Sequence, residues 1–354
     1  MSGIPDEVFM RRALTLAAAG WGQVHPNPMV GAVVVRDDRV VGSGAHRRFG
    51  EMHAETQALV EAGEEARGAT LYVTLEPCCH VGKQPACVPA ILDAGIARVV
   101  IAHRDPNPVA SGGVEALRAA GLDVVVGVAE EAARQLNFRF LRLHAKGHRP
   151  FVAVKLAVSL DGFLADHRGA SQWLTGDAAR HWVHRERAGY AAIAVGGATA
   201  VADDVRLTVR GSVTPRVAPI RVIFDRSGRL GTGHGILADG SGVPVTVVSG
   251  IPRPELAALP GVSVLVTGDL EEALELLYRS GVDAMLVEGG GRLAGALLRL
   301  GLLDRVYQLQ APTWLGAGQP AWAGLPAFDL ASAPRWRTIG RTRLGQDTLL
   351  VLER

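Results

Sequence analysis

Four residues combine types and spacing that suit metal chemistry. His53 and Glu55 stand two positions apart, and a Pro-Cys pair at Cys78 and a further cysteine at Cys87 follow them. Zinc readily takes imidazole nitrogen and thiolate sulfur, and a catalytic zinc keeps three protein ligands and leaves the fourth position to water. The metal lowers the pKa of that water towards neutrality. The pattern predicts His53, Cys78 and Cys87 as zinc ligands, with Glu55 as the catalytic carboxylate that carries the proton of the water to a leaving amino group.

The order of these residues is the pattern of zinc deaminases. Nucleic-acid and free-base deaminases usually have Cys-x-x-Cys, whereas eight residues separate Cys78 from Cys87 here. Cys79 adjoins Cys78, and turning two neighbouring side chains onto one ion would strain the chain, so Cys79 is a poor second ligand. A structural zinc or a set of buried thiols is the alternative, but a closed structural site would need a fourth protein ligand.

The segment from Thr74 to Cys87 reads Thr-Leu-Glu-Pro-Cys-Cys-His-Val-Gly-Lys-Gln-Pro-Ala-Cys. It resembles the deaminase half of the bifunctional deaminase/reductase family of riboflavin biosynthesis, and Asp-Pro-Asn-Pro at 105–108 resembles a second motif of that family. Asn-Pro and Asp-Pro are by themselves ordinary turn formers, and Lys83 could equally be a solvated surface lysine. The resemblance implies that the pyrimidine and its ribose phosphate are bound by Asn27, His46, His80, Lys83, Asp105 and Asn107.

Length and composition indicate a globular protein of two domains. The chain has 354 residues, of which 48% are hydrophobic and 20% are charged, and a domain takes roughly 150 residues. The net charge of +2 is too balanced to indicate a nucleic-acid partner, since a clustered basic face is expected there. No apolar run reaches the roughly 18 residues of a membrane span. Three cysteines without a disulfide framework and an N-terminus without an apolar signal core predict a cytoplasmic protein.

Strands and helices alternate along the first domain, which we place at residues 1–146. This alternation predicts an α/β fold with a three-layer α/β/α arrangement around a mixed sheet, and the family resemblance implies that it is cytidine-deaminase-like. Asp37 and Asp38 mark a hairpin between two apolar strands. The predicted elements are a helix over 7–19, strands over 29–35 and 40–44, a helix from His53, strands over 71–75, 97–102 and 123–128, and a helix over 112–120.

A basic, turn-like segment over 144–150 separates the first domain from a second at 147–354. The stretch Val-Lys-Leu-Ala-Val-Ser-Leu-Asp-Gly at 154–162 and further matches over 171–175, 202–204 and 207–210 resemble the reductase half of the same family. That half has a dihydrofolate-reductase-like α/β fold. A buried strand is predicted over 151–158 and ends at a turn. Lys155 is unusual because it interrupts this apolar strand, so it either extends its amine to solvent or faces a site.

A predicted strand over 284–287 leads into Glu288, three glycines and a predicted helix over 293–300. Such a turn can bind phosphate through backbone N–H groups and the helix dipole, although three glycines alone are a weak signal. The resemblance implies NADPH as cofactor, and it implies that Lys155, Ser171, Arg187, Leu207, Arg210 and Glu288 bind the substrate. A plain core aromatic is the alternative for Trp173. The resemblance also implies a cofactor-contacting serine near Asp225, whose position stays open. The implied cofactor residues are Ala157, Trp173, Thr199, Asp203, Gly290, Gly291, Arg292 and Leu293.

These matches predict an enzyme with two successive activities. The first is zinc-dependent deamination of a diaminopyrimidinone ribosylamine phosphate, and the second is NADPH-dependent reduction of its ribosyl group to ribityl. One alternative is a tRNA or nucleotide deaminase with a non-catalytic C-terminal binding domain. Another, which is not enzymatic, makes the C-terminal half an interaction scaffold. We expect a small-molecule substrate, neither nucleic acid nor membrane as a partner, and a homo-oligomer.

Overall fold

The computed structural model describes residues 4–82, 84–145, 147–211, 213–237 and 240–354. The chain divides into two compact units, Met1–Lys146 and Gly147–Arg354. Each unit has its own sheet and its own apolar core. Within the described ranges, no helix combines the length and the apolar character that crossing a lipid bilayer requires.

The first unit is a mixed sheet with helices between its strands. The strands are β1 (Gly31–Arg36), β2 (Arg39–Ala45), β3 (Thr70–Val73), β4 (Arg98–Ile101) and β5 (Asp123–Val126). The helices are α1 (Asp6–Ala17), α2 (Ala54–Ala62), α3 (Cys87–Asp93), α4 (Gly113–Ala119), α5 (Glu130–Leu136) and α6 (Phe138–His144). The described strands follow the order β2-β1-β3-β4-β5, in which β1 is antiparallel to both neighbours and β3, β4 and β5 are parallel. The predicted hairpin is confirmed, with positive φ at both Asp37 and Asp38.

Alternate residues of the strands enter two different cores. Ala32 and Val34 of β1 pack in the core that α2, α3 and α4 cover, whereas Val33 and Val35 pack in the core that α1 covers. Successive side chains of a strand point to opposite faces, so both faces of this sheet are apolar and both are covered by helices. The predicted three-layer α/β/α arrangement is confirmed.

The second unit is a larger, mainly parallel sheet. Its strands are β6 (Phe151–Val158), β7 (Phe163–Asp166), β8 (Ala192–Gly196), β9 (Ile220–Phe224), β10 (Val245–Ser249), β11 (Val262–Val266), β12 (Ala284–Glu288), β13 (Arg305–Gln310), β14 (Gly318–Pro320), β15 (Arg337–Leu344) and β16 (Asp347–Glu353). Its helices are α7 (Asp177–Arg187), α8 (Gly197–Asp203), α9 (Pro254–Ala257), α10 (Leu270–Arg279) and α11 (Gly291–Arg299).

Nine of these described strands form the large sheet, in the order β11-β10-β9-β8-β12-β6-β13-β16-β15, whereas β7 and β14 pair antiparallel in a separate two-stranded sheet. From β11 to β13 every neighbouring pair is parallel, and β16 and β15 close one edge as antiparallel strands. Helices α8 and α9 cover one face, and α10 and α11 cover the other. Helix α11 begins at Gly291, two residues before the predicted start, because Gly290 at a φ of 75° takes the N-cap position.

Candidate active sites

The three predicted zinc ligands converge in the first unit. The Nδ1 atom of His53 lies 3.2 Å from the sulfur of Cys87 and 3.6 Å from the sulfur of Cys78. All three ligand atoms lie within 4.8 Å of one another. Zinc bonds of about 2.3 Å to sulfur and about 2.0 Å to nitrogen set tetrahedral ligand atoms roughly 3.5 Å apart. One imidazole and two thiols at these distances therefore fit a zinc ion that keeps its fourth position for water.

Backbone contacts bring the ligands together. His53 is the N-cap residue of α2, and Cys87 is the first residue of α3. The carbonyl of Cys78 accepts a hydrogen bond of 3.2 Å from the N–H of Cys87, so the loop after β3 caps the helix that carries the third ligand. A Cβ atom on Gly44 would lie 2.0 Å from the carbonyl oxygen of Ala54. Glycine at this position thus allows β2 to approach the start of α2.

Hydrogen bonds among the ligands set their protonation. A hydrogen bond with the Cys87 thiol lowers the pKa of Cys78 to about 4; burial opposes this shift and a hydrogen bond with His53 adds to it. The pKa of Cys87 is raised because its thiol is hydrogen-bonded to Cys78 and buried. Zinc ligates thiolates, so binding of the ion is expected to release protons from this pair of thiols.

Glu55 lies beside the ligands without belonging to them. It is in the first turn of α2, is 4% exposed, and its carboxyl group hydrogen-bonds with the Cys87 thiol. Burial raises the pKa of Glu55. A raised carboxyl pKa lies closer to that of the groups between which a general acid–base residue moves protons. The position of Glu55 and its raised pKa both suit a residue that carries protons during the reaction.

Two of the predicted pyrimidine-binding residues form a contact next to His53. The side-chain nitrogen of Asn27 lies 3.2 Å from Nε2 of His46. His46 is 3% exposed, and its ring meets that of His53 edge-on with centroids 5.7 Å apart. Burial lowers the pKa of His46. A neutral imidazole at this position can either donate or accept a hydrogen bond with a ligand.

The other predicted residues lie on the loops after β3 and β4. Asp105 accepts a hydrogen bond of 2.8 Å from the N–H of Asn107. Burial raises the pKa of Asp105 to about 6, and the charge of Cys78 adds to this shift while His80 opposes it. Asp105 is therefore close enough to Cys78 and His80 for their charges to act on its carboxyl group. Lys83 lies outside the described residues.

A buried row of polar residues marks the second unit. Lys155 of β6 pairs with Glu288 of β12 on one side and with Tyr307 of β13 on the other. Glu288 accepts hydrogen bonds of 2.5 and 2.8 Å from Arg187, and the hydroxyl of Tyr307 donates one of 2.7 Å to Glu186. Glu186 and Arg187 end α7, so the last turn of that helix lies over the row.

Burial and neighbouring charges together shift the pKa values of the groups in this row. Burial lowers the pKa of Lys155, and Arg187 lowers it further, while Glu288 opposes the shift. Burial alone would raise the pKa of Glu288, but Arg187 holds it below its usual value. Arg187 also donates a hydrogen bond of 2.6 Å to the carbonyl of Thr208. The predicted substrate residue Leu207 precedes that carbonyl, is buried, and has a positive φ of 49°.

Sequence reasoning missed His184, which lies one helical turn before Arg187. Its Nδ1 atom is 3.4 Å from the guanidinium of Arg187. Burial lowers the pKa of His184, and the charges of Arg187 and Arg210 lower it further. His184 and Arg187 therefore lie together beside Glu288, and Arg210 is close enough for its charge to act on His184. The spacing of three positions on one helix face was the available signal.

The glycine-rich turn lies against another predicted cofactor residue. Gly289 and Gly290 have φ values of 64° and 75°, which favour glycine, and a Cβ atom on Gly290 would lie 3.1 Å from Oγ1 of Thr199. On Gly291 it would lie 2.4 Å from the carbonyl oxygen of Pro320. The turn is closely packed, and its backbone N–H groups lie at the N-terminus of helix α11, an arrangement that can bind a phosphate.

A cavity of about 720 Å³ lies at the carboxyl ends of the parallel strands, the edge at which sheets of this type bind ligands. Arg292 and Leu293 line it, as does Ser227, the serine nearest to the Asp225 that sequence matching left open. Asp225 itself also faces the cavity. Six predicted cofactor residues are not among those that line it: Ala157, Trp173, Thr199, Asp203, Gly290 and Gly291.

Trp173 is not a core residue. Its side chain is 71% exposed, and the guanidinium of Arg180 lies 4.7 Å from the centre of its ring. The alternative of a plain core aromatic is therefore wrong. Ser171 is half-buried two residues earlier, Ala157 lies on β6 beside Leu309, and Asp203 ends α8. Burial raises the pKa of Asp203.

Hydrolytic deamination in one unit and reduction in the other are the two chemistries that this fold and these sites define, so the chain is a bifunctional deaminase/reductase. Residues 4–103 match the cytidine and deoxycytidylate deaminase zinc-binding region, and residues 150–350 match the RibD C-terminal domain. The chain belongs to the RibD family of bifunctional riboflavin biosynthesis enzymes, whose deaminase domain binds zinc and whose reductase domain uses NADPH.

Relatives and solved structures match almost the whole chain. The riboflavin biosynthesis protein RibD of Aquifex aeolicus is 42% identical over 88% of both chains, and that of Escherichia coli is 39% identical over 98% of this chain and 99% of its own. The crystal structure of a diaminohydroxyphosphoribosylaminopyrimidine deaminase/5-amino-6-(5-phosphoribosylamino)uracil reductase from Thermotoga maritima is 39% identical, covers 98% of both chains and has a TM-score of 0.83. The predicted cytidine-deaminase-like and dihydrofolate-reductase-like folds are confirmed, and the alternative of a non-catalytic C-terminal domain is wrong.

Proposed function

We propose that the first unit deaminates 2,5-diamino-6-(5-phosphoribosylamino)pyrimidin-4(3H)-one. The second unit then reduces the ribosyl group of the product with NADPH and yields 5-amino-6-(5-phosphoribitylamino)uracil. The observation that carries this proposal is the convergence of His53, Cys78 and Cys87 beside Glu55 in a chain whose second half matches the RibD reductase. The Thermotoga maritima relative, named for the same two reactions, supports the choice of substrate.

In the deaminase, His53, Cys78 and Cys87 would hold the zinc, which would supply a water molecule of near-neutral pKa. Glu55 would carry the two protons of that water, one to the ring nitrogen and one to the exocyclic nitrogen, which leaves as ammonia while the ring carbon gains a carbonyl oxygen. The remaining groups bind the pyrimidine and its ribose phosphate. They are Asn27, His46, His80, Lys83, Asp105 and Asn107, of which Asn27 and His46 are in contact.

In the reductase, bound NADPH would supply the hydride that reduces C1′ of the sugar. The proposed cofactor residues are the turn at 290–293 together with Ala157, Trp173, Thr199 and Asp203, and Ser227 joins them because it lines the same cavity as Arg292. The substrate is bound by Lys155, Ser171, Arg187, Leu207, Arg210 and Glu288. Arg187 and Arg210 are the candidates for its phosphate, because a guanidinium can donate forked hydrogen bonds to a phosphate. Arg187 would have to share its donors with Glu288, which already accepts hydrogen bonds from its Nε and Nη2 atoms. Lys155 and Glu288 lie side by side on neighbouring strands and face the sugar.

With the domain boundary between residues 146 and 147, each unit carries one activity. The boundary is supported by the division of the chain into two compact units between the same two residues. The substrate is a small molecule; that nucleic acid is not a partner is supported by the balanced charge of the chain. That the chain forms a homo-oligomer stays a prediction, which light scattering would test. Location in the cytoplasm is supported by the free cysteines Cys78, Cys79 and Cys87.

The test is a stepwise assay of the purified, zinc-loaded protein. With the diaminopyrimidine substrate alone, ammonia should be released in an amount equal to the substrate consumed. When NADPH is then added, the amount oxidised should match the amount of deaminated product that has formed. Release of ammonia from cytidine or tRNA but not from this substrate would refute the proposal.

A further inference from the structure

A buried carboxylate that neither proposed reaction uses lies two residues before Cys78. Glu76 is 3% exposed. Its Oε2 atom accepts a hydrogen bond of 3.1 Å from the N–H of Asp105, and its Oε1 atom accepts bonds of 3.1 and 3.0 Å from the N–H groups of Gly112 and Val114. Burying a carboxylate is costly unless hydrogen bonds replace its hydration. Here three backbone N–H groups provide that replacement.

All three N–H groups lie within or at the end of the segment that joins β4 to α4. We call residues 102–114 the substrate loop, because it carries two of the residues proposed to bind the pyrimidine. Further backbone bonds tie this loop to the segment of the zinc ligand. The N–H of Glu76 donates to the carbonyl of His103 at 2.9 Å, and the N–H of Cys79 donates to that of Ala110 at 3.4 Å. Glu76 thus contributes the side-chain part of a connection between two loops of the deaminase site.

Asp105 depends on this connection at its backbone. Glu76 binds the N–H of Asp105, and the side chain of Asp105 in turn accepts the N–H of Asn107. A third contact restricts the same loop, because a Cβ atom on Gly113 would lie 2.0 Å from the carbonyl oxygen of Pro77. The loop has little room to shift. The hydrogen bonds that Glu76 accepts from its backbone N–H groups therefore set the position of its side chains.

We propose that Glu76 is a positioning residue of the deaminase, which fixes the substrate loop so that Asp105 and Asn107 meet a pyrimidine held at the zinc ligands. This inference rests on the proposed function and deepens it. Glu76→Gln is the direct test, since an amide keeps the size of the side chain but turns its NH₂ group towards at least one backbone N–H. The variant therefore leaves at least one of these backbone N–H groups without an acceptor and weakens the connection to the loop.

For E76Q we expect full zinc content, an unchanged reductase rate in the same chain, and a fall of about tenfold or more in deaminase kcat/KM, mainly through a higher KM. Glu76→Asp restores the charge and should recover part of the loss. Glu115→Gln is the matched control, because Glu115 is an exposed residue of α4 that pairs with Arg104 of the same loop; it should behave as wild type. If E76Q is insoluble, E76D carries the comparison.

A double variant distinguishes positioning from general support of the fold. If Glu76 acts through Asp105, adding E76Q to Asp105→Ala should change deaminase kcat/KM much less than E76Q does alone. Hydrogen exchange of residues 103–114 should be faster in E76Q than in E115Q. Unchanged deaminase kinetics in E76Q, additive effects with Asp105→Ala, or loss of zinc and reductase activity together would each overturn the proposal. If wild type releases no ammonia, the proposed function fails, whereas the exchange rates still decide whether Glu76 holds the loop.

Discussion

Arg187 donates two hydrogen bonds to Glu288, at 2.5 and 2.8 Å, from the last residue of α7 to the last residue of β12. The two side chains are only 12% and 11% exposed. Both are proposed to bind the substrate of the reductase, so the substrate meets a cation and an anion that already balance each other. Lys155 adds a second basic group to the same carboxylate from the neighbouring strand.

Glu288→Gln should lower the kcat/KM of the reductase by about tenfold or more and leave the deaminase unchanged. Removal of one partner from a buried ion pair costs about 3–5 kcal/mol, because the other charge stays buried. The free energy of unfolding of the second unit should fall accordingly in denaturant titrations. Glu275→Gln is the control, since Glu275 forms an exposed pair with Arg279. An E288Q variant that reduces the deaminated substrate at the wild-type rate would exclude Glu288 from the site.

The stability difference between wild type and the E288Q variant should depend on pH. The pKa of Glu288 in the folded protein lies below its ordinary value of 4.5, because Arg187 overcomes the effect of burial. Its contribution to stability is therefore present above the ordinary value and is lost as the pH falls through the lowered folded pKa. The stability difference between wild type and E288Q should be constant near neutral pH and shrink in acid. A difference that grows as the pH falls would show the opposite shift.

Glu55→Gln should abolish ammonia release while the zinc content stays the same. The amide keeps the hydrogen-bonding shape of the side chain but cannot carry a proton from water to the leaving nitrogen. Metal analysis and an ammonia assay are made on the same sample. Loss of zinc in E55Q would make Glu55 a structural partner of Cys87, and retained deamination would move the proton transfer to another residue.

Cys78→Ser and Cys87→Ser should each remove the zinc, whereas Cys79→Ser should not. The first two sulfurs lie with Nδ1 of His53 in the ligand group, and Cys79 is exposed and outside it. Cys79→Ser thus serves as the control in the same loop. Zinc depletion in that variant, measured by elemental analysis after gel filtration, would contradict the ligand assignment.

A fragment from His148 to Arg354 should fold, bind NADPH and reduce the deaminated substrate, but it should not convert the aminated one. The second unit has its own sheet and core, and every residue proposed for the reductase follows the boundary. Fluorescence titration with NADPH and a denaturation curve test this together. A soluble, cooperatively folded fragment that does not bind NADPH would remove the basis for the second site.

The periodic parts of the fold could be predicted from the sequence. Strand β6 was predicted over its observed bounds because eight largely apolar residues end at a turn signal, and the hairpin at Asp37 and Asp38 had the composition of a tight turn. Strands β13, β15 and β16 were not predicted. In β15 most residues are exposed and three are arginines, so the apolar alternation that reveals a strand is absent where it forms an edge of the sheet.

The candidate sites were predictable where residue type alone limits the chemistry. Histidine and cysteine at metal-binding spacing indicated the zinc ligands, because few other roles need that set. Glu76 was missed because a carboxylate that binds backbone N–H groups has no sequence pattern of its own. His184 was missed although it lies three positions before Arg187 on the same helix. The partners of Glu76 are 29 to 38 residues away along the chain, and the fold alone brings them to its carboxylate.

Complementation between two single-site variants tests most directly whether the two units carry separate, successive steps. E55Q and E288Q are incubated, alone and mixed, with the diaminopyrimidine substrate, zinc and NADPH, and the ribityl product is quantified by mass spectrometry. E55Q alone should leave the substrate unchanged, E288Q alone should accumulate the deaminated intermediate, and the mixture should form the ribityl product. Ribityl product from E55Q alone, or none from a mixture in which the intermediate accumulates, would contradict the account.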